Sequence, residues 1–498
     1  MNRLPRRDLP VPSASIRPRP AARLCLLLLA GLLCLLTAGA ASARSPIDVE
    51  KIAFPPLPPI GQPDLEEITL DNGLRLYLLV DRSLPLIQAS VRIHGGSFLE
   101  PPDKIGLAEI CGRLLRIGGT ASYTSDQLDD LLEGIGAVVE TSFETISGRL
   151  SLSMLSSQAD LAVEVMAEIL RRPAFEPDRL AQVMVAMRAA VSRRNDQPAA
   201  IATREFDKLI YGAASPYARH PENATLRAIT RDDLVAFHRL VCQPQNIQMA
   251  IYGDIDRARI IDLVKKAFGD WPKGDTPLPD FPAVEYAFTP KVGLIDLPQA
   301  NQSNILLGHL GGRLLDPDHA ARLVMNNIFG ISFGSRLFRE VRSRAGLAYS
   351  VYGAITANMS YPGQFICSVS TRADATLKAV AKIIAEIERL QQEPPTAEEL
   401  RLGKDRYLNA FVFNFENLDK IVDRLMYFDF FGLPRDFLQQ EKARVEAVTT
   451  ADVQAVARKQ MKPEALRVLV VGPAARFDGD LKSLGLGAPE PIDITIAP

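Results

Sequence analysis

The chain has 498 residues, of which 47% are hydrophobic and 23% charged, so it is long enough for more than one globular domain. This composition excludes a disordered or fibrous protein. The formal net charge of −2 gives no basic surplus, which argues against a nucleic-acid partner.

The first 43 residues have the three parts of a secretory signal peptide. Six arginines precede the apolar run LCLLLLAGLLCLL, and the small residues AGAASA lead to a cleavage site predicted after Ala43. A membrane anchor is disfavoured because 13 apolar residues fall short of the roughly 20 that span a bilayer. A mitochondrial transit peptide would be amphipathic instead of continuously apolar. We therefore predict export, no membrane attachment after cleavage, and an N-terminal extension over residues 44–64.

Two segments repeat one pattern at an offset of 219 residues. LRAITRDDLVAFHRLVCQPQNIQMAIYGDI (226–255) aligns without gaps on VEAVTTADVQAVARKQMKPEALRVLVVGPA (445–474). Each segment predicts a helix capped by a threonine (Thr230, Thr449), a turn with proline, and an apolar strand that ends at glycine. The chain is therefore predicted to be a tandem duplication.

A proline-rich stretch between the two copies predicts a semi-rigid linker at residues 276–289. It separates a first domain (65–275) from a second domain (290–498). Each domain opens with alternating strands and continues with amphipathic helices, such as DLAVEVMAEILRR and DATLKAVAKIIAEIERL. This order predicts an α+β fold of two homologous α/β-sandwich units, each with a mostly antiparallel sheet and helices on one face.

Histidine and cysteine form no metal motif by spacing. Cysteine is scattered after the predicted cleavage site, which favours buried apolar thiols over a disulfide framework. No two histidines are spaced to share a helical turn, and we interpret each as a surface, capping or core residue. The residues concerned are Cys111, Cys242, Cys367, His94, His220, His238, His309 and His319.

The helix predicted after Gly106 lacks the groups that bind zinc in an inverted zinc peptidase. Such enzymes place H-x-x-E-H on a helix, so that two imidazoles bind the metal and the glutamate acts as base. Here Glu109, Gly112 and Arg113 stand at those positions. An arginine repels a cation and a glycine has no carboxylate. Instead, Glu109 and Arg113 predict an i,i+4 salt bridge that stabilises the helix by about 0.2 to 0.5 kcal/mol.

Several motifs together resemble the pitrilysin/insulinase family of zinc metallopeptidases, which includes the mitochondrial processing peptidase subunits. They are LDNGLRLYLLVDRSLPLIQASVRIHGGSFLEPPDKIGLAEICGRLLRIGGT (70–120), the duplicated halves, and SRLFREVRSRAGLAYSVY (335–352). The resemblance implies that the two domains form half of a clamshell. The family has an Asn-Ala pair on the strand that pairs with substrate, and this chain has Glu140 and Thr141 there.

The resemblance also implies that the zinc site is degenerate. The family's first His, its Glu and its second His fall on Glu109, Gly112 and Arg113, and its third ligand falls near Ala190. None of these four positions carries the family's residue, so no metal is expected in this chain.

In the second half, two of the family's functional positions still carry the family's residues. By resemblance, Arg342 and Tyr349 match a pair that reaches the substrate carbonyl near the zinc, where donors stabilise an oxyanion. The structural alternative is a cation near a helix C-terminus and an aromatic residue on a strand. The loop with Gly330 and Gly334 borders the substrate chamber in the family, and the alternative is a plain turn before a helix capped by Ser335.

These features predict a non-catalytic subunit of a periplasmic heterodimeric zinc metallopeptidase. Inactive alone, it would pair with a zinc-bearing homologous subunit and enclose unfolded peptides, which would bind as an added β-strand. The alternative is a structural or peptide-holding scaffold without a role in turnover, like the core subunits of the respiratory bc1 complex. A self-sufficient peptidase is the third hypothesis, disfavoured because the sequence has no histidine cluster.

Overall fold

The structure, a computed structural model, describes residues 65–498. The predicted signal peptide (1–43) and N-terminal extension (44–64) lie outside the described residues. Within residues 65–498, no helix is both long enough and apolar enough to cross a membrane.

Each repeat builds one six-stranded mixed sheet, which confirms the predicted α+β class. Sheet I contains β1 (Glu66–Thr69), β2 (Arg75–Val80), β3 (Leu86–His94), β4 (Val138–Phe143), β5 (Ser147–Leu155) and β6 (Ile247–Gly253). Sheet II contains β7 (Lys291–Asp296), β8 (Gln302–Leu310), β10 (Ala348–Ile355), β12 (Gln364–Arg372), β13 (Arg467–Gly472) and β14 (Pro489–Pro491). A short parallel pair consists of β9 (Gly312–Arg313) and β11 (Ala357–Asn358).

Helices fill most of the chain between the strands. Those of the first repeat are α1 (Leu107–Ile117), α2 (Ser125–Gly134), α3 (Ala159–Arg171), α4 (Pro177–Arg193), α5 (Pro198–Tyr211), α6 (Asn223–Ala228), α7 (Arg231–Val241) and α8 (Arg257–Phe268). Those of the second are α9 (His319–Asn326), α10 (Thr376–Gln392), α11 (Ala397–Ala410), α12 (Leu418–Phe430), α13 (Phe437–Ala447) and α14 (Thr450–Gln460). Two π-helical segments cover Asn327–Ile331 and Phe338–Arg344.

Five strands have the same order and pairing in both sheets, whereas the sixth differs, because β1 is antiparallel to β2 and β14 is parallel to β7. The strand order is β1-β2-β6-β3-β5-β4 in sheet I and, read from the other edge, β14-β7-β13-β8-β12-β10 in sheet II. β2 pairs with β6 in parallel and β7 pairs with β13 in parallel, with Leu78 opposite Ile251 and Leu294 opposite Val470. β4 and β10 therefore occupy equivalent edges of the two sheets.

The repeated segments fold alike, which confirms the predicted duplication. Thr230 caps α7 by accepting a hydrogen bond from the Asp233 backbone N–H at 3.3 Å, and Thr449 caps α14 in the same way from Asp452 at 3.2 Å. The strand that follows each helix ends at the predicted glycine. Residues 271–290, which contain the predicted linker, form no helix or strand.

Each sheet is covered on both faces. The helices of its own repeat pack on one face and enclose the main apolar core. A single helix from the other repeat covers the second face, with α5 on sheet II and α12 on sheet I. The helices predicted on one face are therefore present, and the exchanged helices are a feature that the sequence did not indicate.

Candidate functional site

Helix α1 carries the predicted salt bridge where the zinc motif would lie. Arg113 Nη2 donates a hydrogen bond to Glu109 Oε1 at 2.7 Å, one turn apart on a partly exposed face. Both charged groups are thereby engaged with each other. This geometry confirms the i,i+4 pair expected from the sequence.

Gly112 is required by the close approach of α1 to the edge strand β4. A Cβ at this position would lie 2.5 Å from the Phe143 backbone nitrogen and 2.8 Å from the Ser142 carbonyl carbon. Thr141 fixes the approach, because its Oγ1 donates a hydrogen bond to the Gly112 carbonyl at 2.6 Å. A side chain at position 112 would have to displace backbone, so the place of the family's catalytic glutamate is closed sterically as well as chemically.

A cavity of about 320 Å³ lies beside this face of α1. Ala190 does not line it; that residue is exposed, one turn beyond the lining residue Ala186 on α4. The lining residues are Arg113, Arg116, Ile117, Glu140, Thr141, Gln182, Val183 and Ala186. In the described part of the chain, no group of three or more His, Cys, Asp or Glu side chains is arranged to hold a metal ion. The residues here do not fit zinc.

Glu100 stabilises the start of α1 and was missed by the sequence analysis. The carboxylate accepts hydrogen bonds from the backbone N–H groups of Gly106 at 3.1 Å and Ala108 at 2.8 Å. Burial raises the pKa of Glu100 to about 7, against the lowering effect of those two bonds. The only sequence signal is an acidic residue shortly before a helix start, which many exposed carboxylates share.

The structure brings Arg342 and Tyr349 together. The Arg342 guanidinium carbon lies 5.0 Å from the centre of the Tyr349 ring and 4.5 Å from that of Phe338, so the cation stacks against two aromatic rings. Tyr349 is 82% exposed, an unusual state for a large aromatic side chain. The pair therefore presents a guanidinium and a phenol side by side at the surface of this chain.

Backbone irregularities position both residues. Arg342 lies in the last turn of the π-helical segment, which ends before Gly346 in a left-handed conformation with φ of 61°. Tyr349 lies on β10 where the pairing with β12 slips, because Ala348 is opposite Thr371 whereas Ser350 is opposite Ser370. Such a bulge redirects a side chain at a sheet edge.

Ion pairs hold the Arg342 segment against α11. Arg336 and Arg339 both donate to Glu399, each with a contact of 2.8 Å. Burial alone would raise the pKa of Glu399, but the hydrogen bonds from Arg336 and Arg339 prevail and lower it to about 2. The segment is thus fixed by charged contacts next to the Arg342–Tyr349 pair.

In the loop at 329–335, Gly330 permits close packing and Gly334 lies in a turn. Gly330 is buried, and a Cβ there would meet the backbone of Gly353 on β10 at 2.4 Å. Gly334 faces open space. Ser335 caps the next helical segment, since its Oγ accepts a hydrogen bond from the Phe338 N–H at 3.4 Å. The predicted cap is confirmed, and the most exposed hydrophobic side chain of this loop is Phe333.

Cysteines and the more buried histidines belong to the core. Cys111, Cys242 and Cys367 are buried free thiols, and burial raises the pKa of each. Burial lowers the pKa of His238 and His309 to about 4. These results confirm the interpretation of the cysteines as apolar packing residues.

Two family models match the chain. Residues 81–214 match the insulinase (peptidase family M16) model, and residues 228–407 match the model of the peptidase M16 inactive domain. An uncharacterised zinc protease of Streptomyces coelicolor is 23% identical over 400 residues, which cover 78% of this chain and 86% of the relative. The non-peptidase homolog YmxG of Helicobacter pylori is 24% identical over 385 residues, 74% of this chain and 85% of that one.

A crystal structure from Pseudomonas fluorescens, described as a peptidase M16 inactive domain, has the same fold. Its TM-score is 0.74 at 25% identity, with 86% of this chain and all of that chain covered. The fold and site thus define a peptidase-fold protein without the family's zinc ligands. The chain belongs to the insulinase family of peptidases, peptidase M16.

Proposed function

We propose that this protein is the non-catalytic subunit of a heterodimeric zinc metallopeptidase. Its partner would be a homologous subunit with an intact H-x-x-E-H helix and bound zinc. In this proposal, Arg342 and Tyr349 complete the partner's active site by donating hydrogen bonds to the substrate carbonyl, where negative charge develops during hydrolysis.

The observation that carries the proposal is the contrast between α1 and the Arg342–Tyr349 pair. The motif positions of α1 do not form a zinc site, because Glu109 is paired with Arg113 and the Gly112 position is closed by β4. The two donors are adjacent, and Tyr349 projects from a bulged sheet edge into solvent. Two adjacent donors, of which Tyr349 is highly exposed, are what a second chain's active site would need.

Peptide binding by strand addition is supported by the two equivalent edges. β4 and β10 each pair on one side only, so their outer backbone groups are available for an extended peptide. Main-chain pairing tolerates varied side chains, which suits a chamber that encloses unfolded peptides. Export to the periplasm is part of the proposal and rests on the signal-peptide pattern of residues 1–43.

The test is turnover by the reconstituted pair. The zinc-bearing homologue that co-purifies with this chain would be assayed on an unfolded peptide with wild-type, Arg342→Ala or Tyr349→Phe subunits. We expect each substitution to lower kcat by roughly 10²-fold, the effect of losing one oxyanion donor, with a smaller change in KM.

Arg344→Ala is the matched control. This arginine lies two residues from Arg342 on the same segment, is mostly exposed, and pairs with Glu340 at 2.6 Å. The control should retain wild-type turnover. If Arg342→Ala and Tyr349→Phe also retain it in an intact heterodimer, the scaffold hypothesis replaces this proposal.

A further inference from the structure

A cleft of about 640 Å³ is lined by residues of α12 and α13, by the C-terminal part of β10, and by Arg92 of β3. It contains side chains of both repeats and does not include the Arg342–Tyr349 pair. Its polar lining residues include Arg92, His319, Tyr352, Asp423, Arg424 and Glu441. Its volume lies within the range of small-ligand sites.

Two half-buried arginines of this cleft have no hydrogen-bonding or ion-pair partner within the described part of the chain. Neither Arg92 nor Arg424 forms a hydrogen bond or an ion pair with any residue between 65 and 498, and Arg92 Nε is buried without a partner. Arg92 instead lies 5.8 Å from the ring centres of both Tyr427 and Phe430. By contrast, the buried Arg336 has Glu399 as a partner.

The carboxylates nearest to these arginines are already engaged. Asp423 accepts a hydrogen bond from Ser90 at 2.6 Å and pairs with Arg149 at 2.9 Å. Glu441 pairs with His319 at 3.3 Å and accepts a hydrogen bond from Tyr407. The cleft therefore contains two guanidinium groups with unused donors, and each has five N–H donors to satisfy.

Desolvation and shape restrict what would bind there. Burial lowers the pKa of both guanidinium groups, yet an arginine keeps its charge in proteins, so an anion would be bound where water competes weakly. Apolar side chains from α9, α12 and α13 line the cleft beside these polar groups and include Leu323, Phe428 and Phe437. This combination favours a carboxylate attached to an apolar body over a free inorganic anion.

We propose that the cleft binds a carboxylate of an unfolded peptide, beside the β10 edge. The carboxylate belongs to an acidic side chain or to the peptide C-terminus, and the planar guanidinium of Arg92 or Arg424 binds it in bidentate fashion. Tyr352 of β10 lines the cleft three residues beyond Tyr349, so a peptide on this edge would pass it. That the ligand is a peptide rests on the proposed function. That it carries a negative charge rests on the residues of the cleft alone.

The test measures binding to the purified chain without its partner. Four fluorescent heptapeptides with one apolar sequence would carry either Glu or Gln at the centre and either a free or an amidated C-terminus. We expect about tenfold tighter binding for the peptide with the correct carboxylate than for the neutral Gln amide, the effect of one charge-assisted hydrogen bond. The Glu amide and the Gln acid identify which source supplies the carboxylate.

Arg92→Gln and Arg424→Gln should each reduce this preference to about threefold or less. Arg401→Gln is the matched control, because it removes the same charge from an exposed arginine of α11 and should keep the tenfold preference. Thermal unfolding of each variant shows whether it folds. If one of the two arginine variants fails to fold, the binding preference of the other decides the test. The proposal is overturned if all four peptides bind equally, or if the preference survives in both folded variants.

The two proposals fail in different ways. Equal binding of charged and neutral peptides removes the carboxylate site and leaves the peptide-enclosing function in place. Binding of no peptide at all overturns both proposals. If the substitutions of Arg342 and Tyr349 leave turnover unchanged, only the role in the partner's active site is overturned, because the heptapeptide measurement involves no turnover.

Discussion

Sheets I and II share the arrangement of five strands but differ in how their second face is covered. On sheet II, α5 packs mostly through apolar side chains such as Phe206, which is fully buried against a surface that includes Leu306 and Leu469. One aspartate contributes as well, since Asp207 accepts a hydrogen bond from Gln364 at 2.7 Å. Apolar burial of this kind is non-directional and excludes water. The contact resembles an ordinary domain core, although it joins two repeats.

On sheet I, the equivalent helix α12 uses aspartates as well as apolar residues. Asp419 accepts a hydrogen bond from Tyr252, Asp423 from Ser90, and Asp429 from Tyr77. Each of these contacts is directional and depends on a particular partner. The comparison teaches that helix exchange between repeats needs only a covered sheet face, which apolar packing or hydrogen bonding can provide.

The edges of the two sheets differ as well. β4 is pressed against α1 at Gly112, so the first repeat has no room for a side chain at the position of the family's base. β10 begins with a bulge that carries Tyr349 into solvent. The edge of sheet I therefore has no space for an added side chain at residue 112, whereas the edge of sheet II exposes a side chain to solvent.

The largest predicted effect tests the apolar contact between α5 and sheet II. Phe206→Ala should lower the free energy of unfolding by about 3 to 5 kcal/mol, because it leaves a cavity under α5 in a fully buried position. Urea unfolding measures the change. Phe333→Ala, the same substitution at a residue that is 76% exposed, should change it by less than about 0.5 kcal/mol. Equal costs would show that α5 does not stabilise sheet II.

A second prediction addresses the closed edge. Gly112→Ala should destabilise the protein by about 1 to 3 kcal/mol, because the added Cβ meets the backbone of β4. Gly134→Ala is the control, since it lies at the end of α2 with nothing within 4 Å of an added Cβ, and there alanine should be neutral or stabilise by up to about 1 kcal/mol. A neutral Gly112→Ala would contradict the steric closure of this site.

The smallest predicted effect concerns the polar face under α12. Burial, and then the hydrogen bond to an aspartate, raises the pKa of Tyr77 and of Tyr252. A raised folded-state pKa means that the stabilisation by each phenol is fully present below its ordinary value of about 10 and is lost as pH rises above it. The wild-type protein should therefore lose about 1 kcal/mol of unfolding free energy per tyrosine by pH 11.

The variant that tests this is Tyr77→Phe combined with Tyr252→Phe. It should be less stable at neutral pH and should lose less stability between pH 9 and pH 11. Tyr349→Phe, at an exposed position, serves as the control and should keep the wild-type pH dependence. An unchanged alkaline slope in the double variant would contradict the account of the polar interface.

Much of the fold follows from local patterns. The alternating strands, the amphipathic helices and the threonine caps each depend on side chains within a few residues, so Thr230 and Thr449 could be placed from spacing alone. The exchange of α5 and α12 could not, because an apolar helix face fits either sheet and the choice depends on contacts between residues that are 258 and 352 positions apart.

The site was predictable to the level of residue identity but not of geometry. The salt bridge between Glu109 and Arg113 follows from helical spacing. The bulge at Tyr349 and the tight contact at Gly112 depend on how strands and helices meet after folding. For the same reason, no sequence signal distinguishes Arg92 from the many arginines that have partners.

The exchanged helices bear on how such a chain could arise. A gene for one repeat would encode a sheet with one bare face, and two copies of that product could cover each other by trading a helix. A symmetric pair of identical chains is thus the simplest stable predecessor. Fusion of two gene copies would convert that encounter between molecules into the folding of one, after which each half would be free to change its chemistry separately.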